Sequence, residues 1–132
     1  MKPTIFAGVP RIYNRIVEGV KAKFEETTGI KKCLIDSGVN SKLNAMHKDG
    51  SYEGGIYDSL VFSKVRESFG GRIRRLASGS APIKDEVYEF IKVIMCCPFV
   101  QGYGQTENTG AAFSQKLLNP AGNVGAVVVN VN

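Results

Sequence analysis

Short apolar runs alternate with apolar stripes at helical spacing along these 132 residues, and that alternation constrains the fold more than any other feature. Pro3 to Val9, with Ile5, Phe6, Ala7 and Val9, reads as a buried strand that ends near Gly8. Pro10 suits the first turn of a helix, where its missing N–H costs nothing. Ile12, Ile16, Val17, Val20 and Phe24 then recur at helical period, and Gly29 is the expected stop. A second stripe, Ile56, Leu60, Val61, Val65 and Phe69, closes at Gly70-Gly71. Arg72 to Ala77 reads as the next strand. A third stripe follows in Ile83, Val87, Phe90, Ile91 and Ile94, with Pro82 in its first turn and Asp85 and Glu86 at the positive end of its dipole. Pro98 blocks that helix, and Cys96 to Val100 leads into a strand starting at Phe99. Thr109 to Phe113 and the tail Gly122 to Val129 also have strand composition. The pattern fades over residues 30–55. There a short helix over Lys31 to Met46, interrupted at Gly38 and Asn40, precedes the turn cluster His47 to Ser51. We read 30–55 as a variable surface excursion.

This order argues for an α/β fold, a layered sheet with helices and parallel pairing, in one unit over residues 1–132. Ligands of such sheets sit outside the carboxyl ends of strands. Two segments of small residues fall at such ends, Ser78-Gly79-Ser80-Ala81-Pro82 and Gly102-Tyr103-Gly104-Gln105-Thr106-Glu107. They are expected to line one crevice. A Rossmann dinucleotide site fits poorly, because no amphipathic helix follows the second segment and no third glycine stands at the required spacing.

The second segment carries the densest chemistry. Glycines at alternate positions let backbone approach a ligand closely. Between and after them stand an aromatic face, a hydroxyl and a carboxylate, which suit a base, a phosphate oxygen and Mg²⁺. The same residues also read as a glycine-rich turn between two strands, with Glu107 simply solvated.

Charge and cysteines narrow the classes. The formal net charge of +5 is spread along the chain, densest at Arg72, Arg74 and Arg75, without interleaved aromatics. That reads as the polar face of a strand rather than a nucleic-acid surface, so no nucleic-acid partner is expected. Cys33, Cys96 and Cys97 show no CxxC spacing and His47 is the single histidine, so no structural zinc site is expected. The three thiols are expected to be buried and reduced. No apolar run approaches the ~18 residues of a membrane span, and Met1-Lys2-Pro3-Thr4 does not open a signal peptide.

Ser78 to Pro82 followed by Gln101 to Glu107 resembles two core motifs of the adenylate-forming enzymes. The opening PTIFAGVPRIYNRI and the run GGRIRRLASGSAPI resemble the long-chain fatty acyl-CoA synthetases among them. The resemblance covers nearly the whole chain and is weakest from Ile30 to Gly55. It implies part of the large N-terminal domain of such an enzyme. It also implies a reaction in which a fatty acid and ATP give an acyl-adenylate, from which coenzyme A displaces AMP.

Carried over by residue, Gly79, Ser80, Ala81 and Pro82 would floor the site beneath adenine and the acyl carbonyl. Tyr103 would stack on adenine, and Gly102, Gly104 and Gln105 would complete the nucleotide-binding set with Thr106. Thr106 and Glu107 would be catalytic, the first on the phosphate or carboxylate end of the adenylate and the second on Mg²⁺. Gly102 and Gly104 would let the acyl group pass. Tyr13 matches a position where some relatives hold a gate to the acyl tunnel, although a tyrosine on a half-buried helix also reads as core. Gln105 stands where relatives often carry an apolar residue.

ATP, Mg²⁺ and coenzyme A are the expected cofactors and substrates, with a fatty acid and the remainder of a longer parent chain as partners. The phosphate loop with its lysine, a Tyr-x-Thr-Gly-Asp motif and the small C-terminal domain are not in these residues. The piece is therefore expected to be inactive alone. The expected location is intracellular, cytoplasmic or on the cytoplasmic face of a membrane. Another adenylating enzyme with a different carboxylate substrate, or a non-catalytic binding module, remains as an alternative reading.

Overall fold

The computed structural model describes residues 2–50, 55–105, 110–114 and 126–127. The elements run β1 (Ile5–Gly8), α1 (Pro10–Glu25), α2 (Ile30–Asp49), a π-helical turn (Asp58–Phe62) continuing into α3 (Ser63–Ser68), β2 (Arg75–Ser78), α4 (Asp85–Met95), β3 (Phe99–Gln105), β4 (Gly110–Ser114) and β5 (Ala126–Val127). The strands form one sheet in the order β1-β2-β3-β4-β5. β1, β2 and β3 are parallel, with Ile5 opposite Arg75 and Leu76 opposite Phe99. The α/β layered architecture expected from the sequence is present.

The pairing of β3 with β4, and of β4 with β5, is antiparallel. The parallel pairing expected from the sequence holds for β1, β2 and β3, and the hairpin after β3 is antiparallel for a simple reason. Only residues 106–109 separate β3 from β4, whereas a parallel return needs a crossover of about a dozen residues or more.

α1 opens on Pro10 and buries Tyr13, Val17 and Val20. Tyr13 takes the buried place that periodicity assigned to Ile12, which is 43% exposed. α4 begins with Asp85 and Glu86 in its first turn and ends where Cys96 adopts a left-handed conformation at φ 48°. It is buried almost all round from Phe90 to Met95, because α1, α2, α3 and β3 all pack against it. The aromatic centre of the core is Phe99, stacked on Tyr88 at 5.0 Å and tilted against Tyr13 at 4.6 Å between ring centroids. Such ring pairs contribute about 0.5–1.5 kcal/mol beyond their burial.

Residues 30–49 form one continuous helix rather than an interrupted one. Ile35, Gly38 and Lys42 are its buried line. Gly38 fits because a Cβ there would meet the Tyr57 ring at 3.0 Å. The strand expected from Arg72 begins only at Arg75, and Arg72, Arg74 and Arg75 are all exposed. Cys96 and Cys97 are buried, but Cys33 is exposed on the outer side of α2, contrary to the expectation of three buried thiols.

Candidate functional site

The two small-residue segments meet where the parallel pairing of β2 with β3 ends, at Ser78 and Gln101. The register that sets Ser78 opposite Gln101 brings the next residues, Gly79 and Gly102, side by side. A Cβ on Gly79 would stand 3.3 Å from the Gly102 carbonyl oxygen, so the two backbones pass as closely as a missing side chain permits. Beyond Gly79 the chain turns outward. Ser80 takes a positive φ of 71°, a conformation that costs a non-glycine residue about 1–2 kcal/mol. Ser80, Ala81 and Pro82 are exposed, and Ile83 is buried and anchors the turn into α4. Strained backbone of this kind often accompanies a ligand site.

The expected loop from Gly102 is corrected. β3 continues through Gln105, pairing Gly102 with Ser114, Tyr103 with Phe113, Gly104 with Ala111 and Gln105 with Gly110. The register slips between Tyr103 and Gly104. A slip there bends the strand locally and re-aims its side chains, and the glycines on each side tolerate that bend. Tyr103 is 41% exposed at this point. Thr106 and Glu107 lie outside the described residues.

Two polar side chains at the strand ends had been given no role from the sequence. Ser78 and Gln101 are buried on the helix-facing side, neighbours across the register. The Ser78 Oγ has no hydrogen-bond partner among the described residues. Their signal in the sequence is a polar residue on the buried face, two positions after Leu76 and Phe99 and just before a glycine.

Tyr13 sits inside the core. Its hydroxyl donates to the Ala77 carbonyl at 2.7 Å and the Phe6 carbonyl at 3.1 Å, joining β1 to β2 one turn of chain before the Ser78–Pro82 segment. Burial pushes its phenol well above the ordinary tyrosine range. Tyr13 is fully buried, and its hydroxyl is engaged by backbone on two strands.

A cleft of about 440 Å³ opens elsewhere, between α1, α2 and the π-turn with α3, lined by Phe24, Ile35, Leu60 and Val65. None of its residues belongs to the two segments. Among the described residues no group of three or more His, Cys, Asp or Glu is placed to hold a metal ion. Among them, too, no helix is long and apolar enough to cross a membrane.

Ser80, Ala81 and Pro82 of the turn and Tyr103 of β3 are all exposed near the end of the parallel pairing. The family model described as AMP-binding enzyme matches residues 1–132. The chain is 38% identical over 136 residues to "Long chain acyl-CoA synthetase 4" of Arabidopsis thaliana, covering 100% of this chain and 20% of that protein. It is 36% identical over 126 residues to "Fatty acyl-CoA synthetase A" of Dictyostelium discoideum, covering 95% of this chain and 19% of that protein. The chain thus spans about a fifth of the length of the curated relatives it matches.

Among solved structures, the adenylation domain of a carboxylate reductase from Mycobacterium chelonae superposes with a TM-score of 0.59 at 22% identity, over 86% of this chain and 15% of that one, and shares its fold. The A-PCP didomain of a carboxylic acid reductase from Segniliparus rugosus, solved in complex with AMP, gives a TM-score of 0.50 at 26% identity, over 90% of this chain and 14% of that one.

Proposed function

The chain belongs to the AMP-binding enzyme family, and from that premise we propose that it is part of a long-chain fatty acid–CoA ligase, activating a fatty acid with ATP and passing the acyl group to coenzyme A. The observation that carries the reading is the close passage of Gly79 against Gly102. It brings the two motif segments together where the parallel pairing of β2 with β3 ends. Identity of 38% to a long-chain synthetase across the whole chain supports the acyl class.

The residues fit an adenine nucleotide. The turn Gly79–Pro82 gives a side-chain-poor floor and Tyr103 gives a partly exposed ring. Gly102, Gly104 and Gln105 complete the cradle in this proposal, and Gly102 and Gly104 leave room for the acyl carbonyl. Thr106 is assigned to the phosphate or carboxylate end of the adenylate and Glu107 to Mg²⁺, a pairing of one carboxylate with phosphate oxygens that this ion accepts. Bound there, Mg²⁺ would neutralise phosphate charge.

Adenylation transfers charge at phosphorus without a protein nucleophile, so the demand on this chain is positioning and fixed donors. Binding and orientation are accordingly the roles of the two segments. Tyr13 acts at one remove, holding β1 and β2 in register below the Ser78–Pro82 turn.

The domain reading is part of the same proposal: residues 1–132 form one partial domain, and 30–55 is its variable portion. On the sheet face away from the helices, Ile5 is 63% exposed and Ala7 and Arg75 are also exposed. We assign its cover to the remainder of a longer enzyme, the chain's first partner beside the fatty acid, ATP and coenzyme A. Such an enzyme would act inside the cell, in the cytoplasm or on the cytoplasmic face of a membrane.

The test is ATP–pyrophosphate exchange by the intact enzyme with palmitate, acetate and an aromatic acid. Exchange that depends on palmitate and is much weaker with the others is expected. Exchange driven by a short or aromatic acid would move the chain to another adenylating activity. No carboxylate-dependent exchange at all would reduce the two segments to a binding module.

A further inference from the structure

A lysine, a carboxylate and a thiol converge behind the sheet, remote from the two glycine segments in role. Lys42 is only 6% exposed on α2. Its ammonium pairs with the Asp58 carboxylate, lies 5.0 Å from the centre of the Phe62 ring, and donates to Cys96 Sγ at 3.0 Å. Cys96 is 8% exposed and closes α4, in the left-handed conformation that aims its side chain back toward the helix, where its thiol donates to the Val93 carbonyl at 3.3 Å. A direct nitrogen–sulfur contact between buried side chains is unusual. A lysine that reaches a core normally ends on oxygen acceptors.

We propose that Lys42 Nζ and Cys96 Sγ form a reversible covalent N–O–S bridge, with molecular oxygen as the oxidant. Three features of the contact favour it. The two atoms are already near the separation that one oxygen atom spans after a small inward shift. Asp58 is placed to take the ammonium proton and leave an amine with a free electron pair. The surroundings are largely apolar, with Phe62 on one side and the end of α4 on the other, and dioxygen is a small apolar molecule that partitions into such packing.

The step balances. One N–H bond of the amine and the S–H bond of the thiol break, and N–O and O–S bonds form. Nitrogen and sulfur each give up two electrons, and dioxygen takes up the four. One oxygen atom stays in the bridge and the other leaves as water with the two hydrogens. Two molecules of a dithiol reverse the change, returning amine, thiol and water.

The bridge would tie α2 to the turn between α4 and β3, three positions before Phe99. It would thus join residues 30–49 covalently to the entry of the strand that carries Gly102 and Tyr103. It rests on side-chain packing alone and stands or falls separately from the ligase reading.

The experiment is peptide mass spectrometry on the intact protein that carries this chain, held in air-saturated buffer, acid-quenched and digested without reductant. The expected product is a Lys42 peptide joined to the Cys96 peptide, with a net gain of one oxygen and loss of two hydrogens. Trypsin should fail to cleave after Lys42 in that product, and dithiothreitol should abolish it. Normal cleavage after Lys42 with Cys96 recovered as a thiol, as a sulfenic or sulfinic acid, or in a disulfide with Cys97 would overturn the proposal. Lys42→Arg serves as the control that assigns the nitrogen: the linked product must vanish. Because the primary observation is on unaltered protein, a variant that folds poorly does not decide the outcome.

Discussion

The carbonyl oxygen of Gly102 lies where a side chain on Gly79 would begin, 3.3 Å from the ideal Cβ position. Both positions are backbone directly after the parallel pair Ser78–Gln101, so neither can swing aside as a side-chain tip would. Gly79→Ala should therefore cost about 1 kcal/mol of stability, at the low end of overpacking. Gly79→Val should cost more. Both should weaken ATP by a larger factor than they weaken folding. Urea unfolding and nucleotide titration of the same variants check this, and ATP affinity that stays at the wild-type value would remove Gly79 from the site.

Tyr13 should be worth most as a pin. Tyr13→Phe leaves the Ala77 and Phe6 carbonyls without their donor and should cost about 1–3 kcal/mol. Its ionisation adds a pH signature. The folded phenol titrates above its unfolded value, so the protonated form is favoured in the native state. That contribution is complete below about pH 10, the ordinary tyrosine value, and is lost as pH rises toward the higher folded value. Wild type should lose more stability than Tyr13→Phe over this alkaline range. Equal losses would mean that the hydroxyl is solvated.

Two helical glycines should respond with opposite signs. Gly19 on α1 is exposed and a Cβ there meets nothing within 4 Å, so Gly19→Ala should stabilise by up to about 1 kcal/mol through helix propensity. Gly38 on α2 would place a Cβ 3.0–3.3 Å from Tyr57 Cδ1, Cγ and Cβ, the base of that side chain rather than its tip. Gly38→Ala should lose stability despite the same propensity gain. Thermal midpoints measure both, and a stabilised Gly38→Ala would show that α2 does not pack on Tyr57.

The same helix shows why part of the fold was hidden in the sequence. The buried line of α2 is Ile35, Gly38 and Lys42, so a glycine and a lysine occupy places where periodicity looks for apolar residues. Lys42 is tolerated there because Asp58, Cys96 and the Phe62 ring receive its head, and none of these is near it in sequence. α1 and α4, whose buried faces are apolar or aromatic apart from Lys92, are legible from periodicity, as is the Pro10 start. Glycines 102 and 104 suggested a loop, whereas they lie in a bent strand whose partner, β4, supplies the missing order. The two site segments were legible as segments. Their contact was not, because the parallel register that brings Gly79 to Gly102 is set by Leu76 and Phe99 in the core.

Tyr103 should matter to nucleotide more than to folding. At 41% exposure it contributes little to the core. Tyr103→Ala should weaken ATP by roughly 1–3 kcal/mol, the range for stacking of a base on an aromatic ring, while Tyr103→Phe should keep most of the affinity. Loss of affinity in both variants would point to the hydroxyl instead of the ring.

The most direct measurement of the central claim is photolabelling of the intact enzyme with an azido-adenine nucleotide, followed by mapping of the labelled peptide. Adenine held between the Gly79–Pro82 turn and Tyr103 predicts label on the peptides carrying those residues. It also predicts that excess ATP removes the label and that Tyr103→Ala weakens it. Label that competes with ATP but maps wholly to other parts of the enzyme would contradict the assignment of this crevice to the nucleotide.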